Sequence, residues 1–477
     1  MGESTISEPL RRPNLRARAA DRAAASTGAG APPRTGAVDA YRGEALAEGL
    51  LAQVFQRLPV ALSVRLWSGA TFRVGAAPRA AASTGASEPR FALVFRNPQA
   101  VCAMVLGRDP LRLAEAYFRD DVDIEGDLFA ALELRDHLES MQTPIRDRLS
   151  AVFQALRLRA LNQHAAPGAA DDVPSHGRAV RAHSKDENRD SIQFHYDVSN
   201  EFYKLWLDQA MVYSCGYFEE PGRSLDEAQH AKLEHICRKL LLRPGERLLD
   251  IGCGWGALVI YAAQHYGVRA HGVTLSEQQL IVARLRIAAA GLDDRVTVEL
   301  KDYRDLGEDG VYDKVASVGM FEHVGLKNLP LYFSTVHRLL KPGGLFLNHG
   351  ITHAHAGWQK NIGTTFINRY VFPDGQLDSI SNIQTGMERA DFEIADVEAL
   401  RSHYALTLRA WVDRLERRHA RALEYVNEAT YRVWRLYMAA CALEFESGNL
   451  GIYQVLSSKR GEPVARLPLT RRHLYRA

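Results

Sequence analysis

A chain of 477 residues is long enough to bury more than one core, and a composition of 46% hydrophobic and 24% charged residues is that of a globular protein. Its net charge of +2 lacks the large positive excess with which nucleic-acid binders displace counterions, which excludes nucleic acid as an expected partner. The five cysteines, Cys102, Cys215, Cys237, Cys253 and Cys441, form no CxxC pair, which argues against a disulfide framework or a structural zinc site and fits a reducing cytoplasm.

The opening stretch MGESTISEPLRRPNLRARAADR lacks the apolar core of a signal peptide. Residues 1–40 are rich in Ala, Arg, Gly, Ser and Pro without an apolar period, which predicts a disordered, solvated tail whose arginines are able to touch anionic headgroups. Residues 41–164 carry strand-like pieces (ALSVRLW, ATFRVG, FALVFRN) followed by helical ones (PLRLAEAYFRD, GDLFAALELRDHLESM), which predicts a smaller N-terminal α+β domain. Residues 165–189 are polar, with Pro and Gly and no period, and are expected to be a linker.

From 190 to 477 strands and helices alternate. The stretch SLDEAQHAKLEHICRKLLL opens on a capping box, Ser224 with Glu227, and leads to the strand RLLDI. A helix, the strand RAHGVTL, a helix from Ser276, the strands RVTVEL and YDKVASV, a helix ending in RLLKPGG and the strand LFLNHGI follow. This is an α/β pattern, calling for a parallel sheet with helices on both faces, to which LGIYQVLSS adds a strand near the C-terminus. The longest nearly apolar run, LLDIGCGWGALVIYAAQ, holds an Asp and three glycines, so it reads as strand, turn and helix, and any membrane contact is expected to be peripheral.

In that run Gly252, Gly254 and Gly256 stand between strand and helix, where a missing Cβ lets backbone approach a ligand. The string also satisfies G-x-G-x-x-G/A through Ala257, but the next strand, RAHGVTLS, offers no acid to hold a dinucleotide ribose. Six separated blocks, LLDIGCGWGALVIYAA, GVTLSEQQ, DYRDL, SVGMFEHVG, HYDVSNEFYKLWLD and MVYSCGYFE, resemble the cyclopropane-fatty-acyl-phospholipid synthase family, which includes the mycolic acid cyclopropane synthases. The resemblance is strong over about 190–460 and weaker over 41–160.

It implies the Rossmann-like, seven-stranded fold of S-adenosylmethionine (SAM) methyltransferases and methylene transfer to cis double bonds of phospholipid acyl chains. It implies a cytoplasmic enzyme that meets the membrane transiently, with homodimer formation or lipid docking through the N-terminal domain. By position, Tyr213 and Ser214 fall at the methionine end of SAM. Asp250, in the glycine block, and Gly252, Gly254 and Gly256 lie along it, Thr274, Leu275, Ser276 and Gln279 at the ribose, and Asp302 and Tyr303 near the adenine. Ser276 with Gln279 also satisfies a capping box, and Asp302 also suits a turn.

An alkene carries no proton whose removal would help it attack, so a base is needed only after methyl transfer, when the neighbouring carbon is a cation awaiting ring closure. Such a site must be dry, aromatic-lined and supplied with one placed base. Tyr203, Trp206, Tyr213, Tyr217, Phe218, Phe366, Tyr370 and Phe372 are the candidates for that lining, with core packing the ordinary alternative. The resemblance implies that the base is a bound bicarbonate, held by Cys215, Glu322, His349, the backbone of Ile351, and Tyr404. Cys441 matches a cysteine proposed as catalytic in the family, although mid-helix among apolar residues it suits core packing. His323 suits a scaffold role, and the spacing of His349, His353 and His355 fits no helical zinc motif, so no metal is expected. Branched-chain products, a small-molecule N-methyltransferase and a non-catalytic lipid-binding protein are the alternative readings, the last opposed by the intact SAM turn.

Overall fold

The computed structural model describes residues 42–58, 60–75, 89–106, 110–140, 145–162, 199–307, 309–356, 366, 369–371, 376–461 and 467–475. The tail over 1–40, the linker over 165–189, the start of the HYDVSNEFYKLWLD block (195–198) and Phe372 lie outside these residues.

Helix α1 (Glu44–Phe55) precedes β1 (Leu62–Arg65) and β2 (Thr71–Val74), an antiparallel pair. Strand β3 (Phe91–Phe95) returns parallel to β1, and after α2 (Pro98–Leu106) and α3 (Pro110–Phe118) the edge strand β4 (Val122–Gly126) pairs antiparallel with β3. The sheet order is β2-β1-β3-β4, with α4 (Leu128–Ser140) and α5 (Ile145–Leu161) following. Its core is built on Leu50, Phe55, Val64, Phe95, Val101 and Leu158, all fully buried.

After α6 (Asn200–Trp206), α7 (Leu225–Lys239) opens on the expected capping box: Ser224 Oγ accepts from the Glu227 amide at 3.3 Å and Glu227 Oε2 from the Ser224 amide at 2.8 Å. Then come β5 (Arg247–Ile251), α8 (Ala257–Tyr266), β6 (Arg269–Thr274), α9 (Glu277–Ala289), β7 (Val296–Leu300), β8 (Tyr312–Val318), α10 (Leu329–Leu339) and β9 (Leu340–His353). Helix α11 (Ile380–Arg389), β10 (Phe392–Ala399), α12 (Arg401–Arg417), α13 (Glu428–Ser447) and β11 (Leu450–Lys459) complete the sheet.

Seven strands lie in the order β10-β11-β9-β8-β5-β6-β7. The five strands β9-β8-β5-β6-β7 run parallel, out to the β7 edge, and β11 is antiparallel to both β9 and β10. Helices on both faces bury β5 and β8, which explains their nearly unbroken apolar runs. The chain builds outward from β5 through β6 to β7, then crosses back to place β8 on the other side of β5. That reversal opens a crevice at the carboxyl ends of β5 and β8, where open α/β sheets bind ligands.

Helix α13 ties the two sheets together. Arg432, 6% exposed, donates to the carbonyls of Tyr117 and Val122 at 3.1 and 3.4 Å and to Asp120 Oδ1 at 2.9 Å, while Arg435 Nη1 reaches the Tyr117 hydroxyl at 2.8 Å.

Candidate functional site

The glycine turn sits at the crevice. The amides of Gly252 and Cys253 both donate to Val273 O, at 2.9 and 3.0 Å, which pins the turn to β6. Gly252 and Gly254 have φ of +82° and +55°, in the left-handed region, and a Cβ on Gly254 would project into open space. The cavity beside them is walled by Tyr213, Ser214, Asp250, Gly252 and Gly254 at one end, by Thr274, Leu275 and Gln279 along one side, and by Asp302 and Tyr303 beyond. Gly256 and Ser276 sit behind this wall: Gly256 starts α8 against Ala283, and Ser276 caps α9.

The capping box expected at Ser276 is half formed. Ser276 Oγ accepts from the Gln279 amide at 3.3 Å, but Gln279 Oε1 is occupied by the Thr274 hydroxyl at 2.7 Å and does not reach back. Among the described residues nothing accepts from Gln279 Nε2, so its amide hydrogens remain available at the cavity. Asp302 takes up the turn role, accepting from the Arg304 amide at 2.9 Å and pairing with its guanidinium at 2.6 Å.

Two buried ionisable groups, Asp250 and Lys232, line this cavity. Asp250 is 2% exposed, its Oδ1 has no partner among the described residues, and burial pushes its carboxyl up to about 7 against the pull of Lys232. Lys232 donates to Ser214 Oγ at 2.8 Å. The segment carrying Tyr213, Ser214 and Cys215 is held from below: Asp208 accepts the amides of Ala210 and Val212, and Gln229 Nε2 donates to Ser214 O at 2.8 Å. Lys232 and Gln229 were missed from sequence. Their signal was helical spacing, since Ala228, Lys232 and Ile236 share one buried stripe of α7.

Glu322 lies in a 3₁₀ turn, Phe321–His323, just after β8. Its Oε1 accepts from the Ile351 amide at 2.8 Å, while Oε2 is buried with no partner among the described residues. Burial raises its carboxyl above the usual range, opposed first by that amide. Close approach of the turn to β9 needs Gly350, where a Cβ would stand 1.9 Å from the Phe321 ring. His323, next in the chain, faces the cofactor cavity instead.

His349 is 1% exposed and pairs across the sheet with Gln454, whose Nε2 lies 3.3 Å from Nδ1. An amide nitrogen only donates, so the ring proton sits on Nε2, which has no partner among the described residues. Burial, then the charge of Lys232, holds this imidazole well below its ordinary pKa and therefore neutral.

Cys215, Tyr404 and Cys441 lie in one buried aromatic cluster, with Tyr213 and Ile351 packed against it. Through Ile351, bonded to Glu322 and two residues beyond His349 on β9, that cluster meets the acid and the imidazole. Cys215 is fully buried, and burial raises its thiol well above the usual range; Cys441 is pushed up to about 12 by burial. Both are thiols at neutral pH.

The aromatics divide. Tyr203 and Trp206 are fully buried in a cluster of tilted and edge-to-face rings that reaches Tyr213 and Trp411, with centroids 5.7 Å apart for Tyr203 and Tyr213 and 5.3 Å for Tyr213 and Trp411. Tyr217 stacks on His235 and His403, and Phe218 on His403, while Phe366 and Tyr370 pack on Phe118. His353 and His355 are neighbours at the end of β9, with ring centroids 5.8 Å apart, and no cluster of three candidate metal ligands occurs among the described residues.

The family model for mycolic acid cyclopropane synthetase matches residues 183–455. A Pseudomonas putida protein described as "Probable fatty acid methyltransferase" is 40% identical over 437 residues, covering 90% of this chain and 100% of its own. The cyclopropane-fatty-acyl-phospholipid synthase of Escherichia coli K12 is 41% identical over 265 residues, 56% of this chain and 66% of its own. Among solved structures, the mycolic acid cyclopropane synthase CmaA1 complexed with SAH and CTAB superposes with a TM-score of 0.54 at 34% identity, over 57% of this chain and 98% of that one.

Proposed function

The chain belongs to the mycolic acid cyclopropane synthetase family and is a SAM-dependent methyltransferase of the fatty-acyl kind; from that premise we propose that it adds a methylene across cis double bonds of phospholipid acyl chains. SAM, when bound, supplies an electrophilic methyl group. The cavity suits it: an opening where a Cβ of Gly254 would lie, an unpartnered Asp250 oxygen, and available Gln279 amide hydrogens.

The protein's part is to receive the cation left on the acyl chain. The aromatic cluster around Tyr213 and Tyr404 keeps water from that carbon and offers ring faces to its charge. One observation carries the reading of the base site: a buried carboxylate oxygen, Glu322 Oε2, and a buried imidazole N–H, His349 Nε2, both lack partners among the described residues. One acceptor and one donor are what a bicarbonate ion requires, its hydroxyl giving to Glu322 and its anionic oxygen taking from His349. Cys215 and Tyr404 complete the proposed set, while the Ile351 amide, committed to Glu322 Oε1, serves it by holding the acid, and the ion would supply the base for the new methyl group. Glu322 orients, and neutral His349 donates without adding charge.

The alternative product is a methyl- or methylene-branched chain, which the broader description of the P. putida relative also accommodates. No described helix is long and apolar enough to cross a membrane, so contact with the bilayer is proposed to be peripheral. Lipids of an expressing host, analysed by mass spectrometry and proton resonance, test the proposal. A gain of one CH₂ with loss of olefinic signals and appearance of cyclopropane resonances supports it. The same mass gain with exocyclic methylene signals, or a gain of CH₂ plus two hydrogens with branched-methyl signals, overturns the cyclopropane product.

A further inference from the structure

Helix α5 has two apolar faces. One carries Ala151, Ala155 and Leu158, all buried against α1 and α2, where the Cys102 thiol donates to Ala155 O at 3.3 Å. The other carries Leu149, Val152, Phe153 and Leu156, whose spacing of three and four residues sets them in one stripe. These four are 65, 38, 62 and 50% exposed, and four adjoining apolar side chains in water are more than a scatter of single surface residues. Basic residues edge the stripe. At about 100° per residue, Arg146 and Arg157 fall along one side of it and Arg148 and Arg159 along the other, all exposed. None of the four is ion-paired among the described residues. The helix's one acid, Asp147, is turned to α1, its carboxylate 3.3 Å from Arg57 and its carbonyl accepting from Gln53 at 3.0 Å.

We propose that this face of α5 is a docking surface for an anionic phospholipid bilayer, the helix lying along the interface with its stripe among the upper acyl chains and its arginines at the phosphates. An apolar stripe bordered by arginines on both sides matches the two layers of such a surface, hydrocarbon beneath and negative charge above. A second copy of the chain fits it poorly. An isologous contact would set the arginine borders of two helices together with no acid of this face between them. The inference rests on the phospholipid reading above and gives it a place on the molecule. Arg432 and Arg435 tie the N-terminal sheet to α13, so a bilayer held at α5 is held to the catalytic domain as well.

Co-sedimentation of the full chain with phosphatidylcholine vesicles, with and without phosphatidylglycerol, tests this surface. The double variant Leu149→Gln, Phe153→Gln is expected to weaken binding to the anionic vesicles by roughly 10- to 100-fold, since two large apolar side chains no longer leave water. The double variant Arg148→Gln, Arg157→Gln is expected to weaken it by roughly 10-fold at low salt and by less as salt is raised. Turnover on detergent-dispersed lipid should be unchanged in both, which separates docking from chemistry. Failure of the wild type to bind anionic vesicles overturns the proposal, as does equal binding by the wild type and the apolar variant. Unchanged vesicle binding with a shift of the apolar variant from dimer to monomer would assign the stripe to a second copy, and with a fall in its unfolding midpoint to a segment of this chain; either overturns the bilayer assignment. Vesicle binding that depends on the stripe, in a wild type that leaves the vesicle lipids unaltered, supports the docking surface and overturns the phospholipid substrate instead.

Discussion

The backbone amide of Ile351 holds Glu322 Oε1 at 2.8 Å, so one carboxylate oxygen is committed to the sheet and the other is left to face the site. Glu322→Gln keeps the size and the acceptor for Ile351 but loses the charge. SAM affinity should stay nearly unchanged while turnover falls ~100- to 10,000-fold, the range of general-base contributions. Stripping carbon dioxide from the assay should lower wild-type turnover, with recovery on adding bicarbonate, and the variant should respond much less. Full wild-type activity in bicarbonate-free buffer would make Glu322 itself the base.

Two glycines of one turn should respond differently. A Cβ on Gly254 meets nothing within 4 Å, whereas one on Gly252 would stand 2.8 Å from Met320 Cγ. Gly254→Val should therefore fold, with a loss of ~1–2 kcal/mol from its left-handed backbone, and lose SAM binding because its branches fill cofactor space. Gly252→Ala should cost more stability through the added clash. Normal SAM affinity in folded Gly254→Val would contradict the cavity assignment.

Arg432 joins α13 to the end of α3 and to β4 with a buried guanidinium. Arg432→Met removes one donor from the Tyr117 and Val122 carbonyls and from Asp120, while Tyr117 O keeps the Asp120 amide and Asp120 keeps Arg96, and a loss of ~1.5–3 kcal/mol is expected, the magnitude of hydrogen bonds to charged groups. Urea unfolding should become biphasic, with the N-terminal sheet melting first. An unchanged single transition would mean the two sheets cohere without this residue.

Glu398 accepts from His235 at 2.7 Å and pairs with Lys239 at 2.6 Å. Burial alone would raise its pKa, but the His235 hydrogen bond and the Lys239 charge outweigh burial and hold it at about 2, below the unfolded 4.5. A depressed carboxylate stabilises the fold above its unfolded pKa and loses that contribution as pH falls through the folded value. Unfolding free energies should thus separate wild type from Glu398→Gln at pH 7 by about 1–2 kcal/mol, the full linkage value being reduced by solvent screening of this partly exposed group, and the gap should close between about pH 4.5 and 2. A gap that persists at the acid end would contradict the linkage.

The cofactor end was readable because its determinants are local. Three glycines within five residues, after RLLDI and before an apolar helix, specify a strand, a tight turn and a helix start without reference to the rest of the chain. Glu322 was readable for the same reason, as an acid directly after a buried strand. Lys232 was not, because a lysine is ordinarily read as solvent-facing, and only the buried stripe of α7 reveals otherwise. Gln454, which fixes the tautomer of His349, depends on β11 entering antiparallel beside β9, a pairing across more than a hundred residues. Strand β10 and helix α12 were not anticipated at all, and of α13 only the helical setting of Cys441 was. Strand β4 was hidden because Asp123 and Glu125 break its apolar run, as an exposed edge permits. The aromatic residues could be divided between site and core only by tertiary contact.

Helices α12 and α13 leave the sheet after β10 and return at β11, two strands that are hydrogen-bonded neighbours, and the Leu400 amide closes the mouth of this excursion on Ile452 O at 2.9 Å. The excursion is in effect a cassette, free to diverge in length and sequence while the strands that shape the cofactor turn stay as they are. It carries Tyr404 and Cys441 in the aromatic cluster and Arg432 and Arg435 against the N-terminal sheet, so a cassette exchanged between relatives would bring a new aromatic lining and a new anchor for that sheet at once. Inheritance of the two is thereby coupled: a chimera that swaps residues 401–447 must swap the Tyr117–Asp123 segment with them.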